Sequence, residues 1–227
     1  MNRKLSVTCV VAALSAIVAS SGAHAAGAAT SATNWAGPYV GAQIGAGFGT
    51  ESDDLSKYLI PADTVSVSGA VGGVYAGYTW QTENNLVLGI EGQVSATGLK
   101  GDWGFTTPTN GTLTFSSDWE AALKGRAGVA VDNALFYATA GVVWAHGTEN
   151  LVMPNYSIDL SASATHTGWV AGVGVEYSLT DSLSARAEVD YTSFANQAYS
   201  GISPYGSGTM NASWTQTTAT VGLSYHF

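Results

Sequence analysis

In the stretch SLSARAEVDYTSF, residues 182–194, the side chains Leu183, Ala185, Ala187, Val189 and Tyr191 take every second position, with Arg186, Glu188 and Asp190 between them. A period of two places these sets on opposite faces of a β-strand. The same separation recurs along the chain. Leu86, Leu88, Ile90 and Val94 share a parity that excludes Glu91. Trp119, Ala121, Leu123, Ala127, Val129 and Val131 oppose Glu120, Lys124 and Arg126, and Trp169, Ala171, Val173, Val175 and Tyr177 oppose Glu176. From Glu120 inward these strands carry eight charges, and none shares the apolar parity.

Which face meets water follows from composition. Only 10% of the residues are charged, against roughly 25% in ordinary soluble domains. A soluble barrel with its polar face outward needs more exposed charge than this. It also needs large apolar side chains inside, whereas the polar rows read Tyr39, Gly41, Gln43, Gly45 and Gly73, Tyr75, Gly77, Thr79. Lipid on the apolar side explains the segregation, because a Lys or Arg facing lipid at mid-bilayer costs roughly 2–4 kcal/mol. The charged face is then the inside of a barrel.

Alternation predicts eight strands, near 38–48, 69–80, 85–96, 117–131, 135–146, 165–178, 183–194 and 213–227. The links after the second, fourth and sixth (81–84, 132–134, 179–182) are short and contain turn formers such as Asp132-Asn133. The others (49–68, 97–116, 147–164, 195–212) are long and polar. The predicted fold is all-β: an eight-stranded antiparallel up-and-down transmembrane β-barrel with short periplasmic turns and long extracellular loops.

The N-terminus reads as a secretory signal. Arg3 and Lys4 precede the apolar run Leu5–Ala19, and Ala23-His24-Ala25 fits a small-x-small cleavage rule. The expected organisation is a cleaved signal at 1–25, a short segment at 26–34 and the barrel at 35–227. Cys9 leaves with the signal, so no disulfide is expected. Five basic residues then face sixteen acidic ones, which argues against nucleic-acid binding.

The last strand, WTQTTATVGLSYHF, alternates Thr217, Ala219, Val221, Leu223, Tyr225 and Phe227. It resembles the C-terminal sorting signal of bacterial outer-membrane barrels, with Tyr225 and Phe227 as its marks. The opening NWAGPYVGAQIGAGFG at 34–49, GGVYAGYTW at 72–80 and LGIEGQ at 88–93 add glycine-aromatic patterns. Together they resemble the small porin-like barrels of the outer-membrane immunogenic, RopB-type family, relatives of the OmpA transmembrane domain. That resemblance implies the outer membrane of a Gram-negative bacterium and a chain delivered by the barrel assembly machinery. It brings no catalytic residues.

Depth counted from the short turns predicts a lumen ion-pair network of Glu91, Lys124, Arg126, Arg186 and Glu188, with Glu176 lower and Asp190 and Glu120 higher, because buried charge must be paired. Tyr78, Trp80, Phe136, Tyr177 and Tyr225 near the short turns, and Trp144 and Trp169 near the long loops, are expected to form two interfacial girdles. No cofactor or metal is expected. His146 and His166 flank the third long link without a diagnostic catalytic or ligand spacing. The first long link is acidic, with Glu51, Asp53, Asp54 and Asp63. Expected partners are outer-membrane lipid and lipopolysaccharide, the assembly machinery, and host or phage surfaces met through the loops. The protein is expected to be a monomer without enzyme activity. Three roles fit: a structural barrel with a closed lumen, a narrow pore for ions or small solutes, and surface ligand or haem binding (or lipid modification) through His146 or His166.

Overall fold

The computed structural model describes residues 33–53, 64–105, 111–153, 158–194, 197–200 and 209–227. Residues 1–25, where a signal is expected, and the acidic residues Asp54 and Asp63 lie outside them, as do the side chains of Glu51 and Asp53.

The strands are β1 (Gly37–Asp53), β2 (Thr64–Gln81), β3 (Leu86–Phe105), β4 (Gly111–Val131), β5 (Ala134–Met153), β6 (Ile158–Ser178), β7 (Leu183–Phe194), β8 (Gln197–Ser200) and β9 (Thr209–His226). Each pairs antiparallel with its neighbour, and β9 pairs with both β7 and β1, which closes the sheet. The four-residue β8 continues the line of β7 along β9. The barrel wall therefore has eight staves. Closure leaves no open edge in lipid, where unpaired backbone groups cost several kcal/mol each.

The register fixes the geometry. Stepping through paired residues from Tyr39 leads to Gly77, Glu91, Lys124, Gly141, Val170, Thr192, Gln216 and back to β1 at Gly49, ten residues further along. A stagger of ten over eight strands, with standard strand spacings, gives a tilt of about 41° and a backbone radius of about 8 Å. Each residue then climbs about 2.5 Å along the barrel axis, and each step from strand to strand climbs about 3 Å.

Those increments convert register into height. Tyr78, Trp80, Phe136, Tyr177 and Tyr225 all lie within about 5 Å of the level of Tyr39, and Trp119, Trp144, Trp169 and Tyr191 lie about 16–22 Å above it. All nine point outward and are exposed. The two aromatic rings are separated by about 20 Å, close to the apolar band of about 25 Å on barrels of this kind.

The strands run well beyond their sequence-predicted ends on the long-link side. Half of the link assigned to 49–68 and most of those at 97–116 and 147–164 are strand, up to Asp53, Phe105 and Met153 on their first sides and from Thr64, Gly111 and Ile158 on their second. Beyond the lipid-facing band the alternation continues with its sense reversed: Val67 and Leu99 are buried inside, and Ser66, Ser68 and Lys100 are exposed outside. Bulges fall between Ala96 and Leu99 on β3 and between Ser117 and Trp119 on β4. At the other end the turns are tight, and Asn85 and Asp132 adopt left-handed backbone conformations (φ 60° and 52°), which Asn and Asp tolerate better than most residues.

Candidate functional site

The charged parity of β3, β4, β6 and β7 forms the lumen. Glu91, Lys124, Arg126, Glu176, Arg186, Glu188 and Asp190 are all buried there. Arg186 donates from Nη1 to Glu91 Oε2 at 2.6 Å and from Nη2 to Glu91 Oε1 at 3.3 Å, and it reaches Gln43 Oε1 at 2.6 Å. Lys124 Nζ lies 2.5 Å from Glu188, 3.3 Å from Asp190 and 3.5 Å from Glu91. These five charged groups make one connected layer. Arg126 instead pairs with Glu176, nearer the short turns. Glu176 also accepts from Ser184 Oγ at 2.5 Å and lies 3.1 Å from His226 Nε2.

Tyrosines bridge the two levels. Tyr39 donates to Glu91 at 2.8 Å and Tyr137 to Glu188 at 2.7 Å. The Arg126 guanidinium sits 3.6 Å from the centre of the Tyr137 ring, and that of Arg186 3.4 Å from the Tyr75 ring. Stacking on an aromatic face suits a desolvated guanidinium. Two glycines make room for these rings: a Cβ at Gly41 would overlap the Tyr75 ring, and one at Gly174 the Tyr137 ring. Among the described residues Glu120 pairs with no cation, and it accepts from Gln216 Nε2 at 2.6 Å. It borders a cavity of about 20 Å³ shared with Lys124, Asp190, Gln216 and Thr218, space on the scale of one water molecule.

Both ends of this polar layer are closed by apolar groups. On the outer side Val67, Leu99, Val143, Ala145, Val170 and Phe194 form a buried cluster inside the barrel. On the short-turn side Trp35 is 1% exposed and packs with Val87, Ala130, Leu135 and Tyr137. Residues 33–36 cross the barrel mouth to bring it there. Thr33 N donates to Asp132 O at 3.4 Å and its hydroxyl to Asn133 at 3.2 Å, on the β4–β5 turn across the mouth from β1. Trp35 N donates to Gln81 Oε1 at 2.7 Å, and the Thr79 hydroxyl donates to Trp35 O. The Trp35 ring meets the His226 ring edge-on at 5.6 Å.

Sequence reading named the charged residues and the inner rows containing Tyr39, Gln43 and Tyr75, but not the crossing segment or the inner apolar cluster. The cluster draws one or two residues from each of five strands, so no local run reveals it. A Trp two residues before a strand start was the available signal for the crossing segment. The two histidines do not converge: His166 is buried and faces Phe194, whereas His146 is half-buried and stacks on Trp119. Among the described residues no group of three His, Cys, Asp or Glu is arranged to hold a metal.

Known proteins share this architecture. The chain is 25% identical over 210 residues to the 31 kDa outer-membrane immunogenic protein of Brucella melitensis, covering 86% of this chain and 84% of that one. It is 27% identical over 197 residues to the 22 kDa outer membrane protein of Rhizobium leguminosarum bv. viciae, covering 86% and 80%. The outer membrane protein OprG from Pseudomonas aeruginosa shares the fold at a TM-score of 0.51 and 13% identity, over 87% of this chain and 98% of that one. The family model described as "Outer membrane protein beta-barrel domain" matches residues 10–227. With the closed, lipid-faced barrel, these matches make the chain a member of the outer membrane protein beta-barrel family, residing in the outer membrane of a Gram-negative bacterium.

Proposed function

We propose that the protein is a closed structural barrel that contributes to envelope integrity and exposes its long-link end at the cell surface, without enzymatic chemistry. The observation that carries this reading is the filled lumen. An aqueous path must pass Trp35, then the layer joined by Arg186, Glu91, Lys124 and Glu188, then the cluster around Leu99 and Phe194. Opening it separates buried ion pairs, each costing roughly 3–5 kcal/mol when one partner is removed. Eight strands leave an interior just wide enough for side chains to fill.

Single-channel recording of the protein in a planar bilayer tests this. A barrel that shows its folded mobility on an unheated SDS gel and gives no current steps supports the closed reading. Steady openings from the same material refute it and make the protein a narrow pore.

Surface exposure as an antigen fits the relatives named immunogenic, and host or phage surfaces would then meet the long-link end. The assembly machinery would read the closing strand with Tyr225 and Phe227. A wall closed between β1 and β9 needs no second copy, which fits a monomer.

A further inference from the structure

Small outward side chains recur on the lipid-facing surface, as at Gly125, Ala127, Ala138 and Ala140, and one patch of them lies in its outer half. Where β9, β1, β2 and β3 adjoin, the outward positions Ala70, Gly72, Ala96 and Gly98 are small, and Ile44 and Val221 flank them. Together they line a shallow apolar groove on the outside of the barrel. Packing within the protein does not require glycine there. A Cβ at Gly98 would come no nearer than 3.6 Å to Ala70 O, and one at Gly72 no nearer than 3.8 Å to Gln43 O, both ordinary contacts. The lumen glycines Gly41 and Gly174 differ, because a Cβ there would overlap a ring. The groove is therefore a property of the outer surface.

Its height assigns a leaflet. By the register, Val221 lies about 9 Å and Gly98 about 24 Å above Tyr39, so the groove occupies the outer half of the apolar band and reaches the level of Trp119 and Trp144. Lys100 follows on the same face two residues beyond Gly98, about 5 Å higher, at headgroup level. It is exposed and makes no ion pair with any residue whose side chain is described. The other described Lys and Arg side chains, Lys124, Arg126 and Arg186, are committed inside the lumen. Lys100 is thus the single outward ammonium among the described residues. Exposed Ser68 stands opposite it on β2. Asp118 is exposed on the adjoining bulge, so recognition rests on one ammonium contact and not on a broad positive field.

We propose that the groove and Lys100 form a binding site for one phosphorylated, acylated glycolipid of the outer leaflet, lipid A. An acyl chain lies along Ala70, Gly72, Ala96 and Gly98, and a headgroup phosphate accepts hydrogen bonds from the Lys100 ammonium, with the Ser68 hydroxyl alongside. The two contacts are separable. Filling the groove removes the acyl seat, and neutralising Lys100 removes phosphate selectivity.

The test uses the protein in detergent micelles with purified bisphosphorylated lipid A, dephosphorylated lipid A or phosphatidylglycerol, with retained lipid counted by native mass spectrometry. Wild type should keep one lipid A and favour it about five- to tenfold over the dephosphorylated form, the scale of one charge-assisted contact at a membrane surface. Lys100→Gln should abolish that preference. Gly72→Leu with Gly98→Leu should weaken both forms of lipid A together. Folded mobility on unheated gels checks each variant, and Lys100→Gln alone decides the phosphate contact should the double variant not fold. Equal retention of lipid A by wild type and Lys100→Gln overturns the proposal. So does retention of phosphatidylglycerol equal to lipid A, which would make the groove a seat for annular lipid of any kind. These outcomes do not depend on whether the lumen conducts.

Discussion

Replacing Arg186 with methionine keeps much of its apolar stem and removes the guanidinium that joins three parts of the lumen. Glu91 loses contacts of 2.6 and 3.3 Å, Gln43 loses its partner at 2.6 Å, and the Tyr75 ring loses the cation 3.4 Å above it. Glu91 keeps Lys124 at 3.5 Å and the Tyr39 hydroxyl at 2.8 Å, but Lys124 is already engaged more closely by Glu188. Hydrogen bonds to charged groups contribute about 1.5–3 kcal/mol each, and stranding one member of a buried pair costs about 3–5 kcal/mol. The expected loss is therefore about 3–5 kcal/mol. Adding Glu91→Gln removes the stranded charge, and Lys124 still holds Glu188 and Asp190. The double variant should be more stable than the sum of the singles predicts, by about 2 kcal/mol or more. Reversible urea unfolding in phosphatidylcholine vesicles, followed by tryptophan fluorescence, measures both quantities, with an unchanged urea dependence marking an intact barrel. A single-variant loss below about 0.5 kcal/mol, or strict additivity in the double, would refute the coupled-layer reasoning.

Two further perturbations probe the ends and the wall. Trp35→Ala empties the short-turn seal packed on Val87, Ala130 and Leu135 and should cost about 3–5 kcal/mol in the same urea titration; a loss under about 1 kcal/mol would show that the crossing segment does not hold the mouth. Leu123→Arg places a charge on an outward position near the middle of the apolar band and should cost about 2–4 kcal/mol in vesicles, with a much smaller effect in detergent where the side chain reaches water.

The sequence was most informative where lipid imposes a penalty. A charge facing acyl chains is costly, so the parity of Glu91, Lys124, Arg126, Glu176 and the Arg186–Asp190 row identified the lumen before any coordinates. It was least informative above the membrane, where β3 and β4 run on to Phe105 and from Gly111 and the apolar parity of β2 and β3 turns inward, to Val67 and Leu99. It was also weak along β5, whose inward Leu135, Val143 and Ala145 are as apolar as its outward Phe136, Val142 and Trp144, so parity there carries no contrast.

Alternation, tight-turn residues and the distribution of charge thus determined by themselves that the chain forms a closed eight-stranded barrel, which face meets lipid, and which charged side chains enter the lumen. Those are local properties of period and sign, written one strand at a time. Only the tertiary structure decided that Arg126 takes Glu176 while Arg186 takes Glu91, that Val67, Leu99, Val143, Val170 and Phe194 meet as one cluster, and that Trp35 crosses beneath the barrel. Each depends on a stagger of ten residues around eight strands, which sets the relative heights of side chains far apart in sequence and is fixed only when the first and last strands pair.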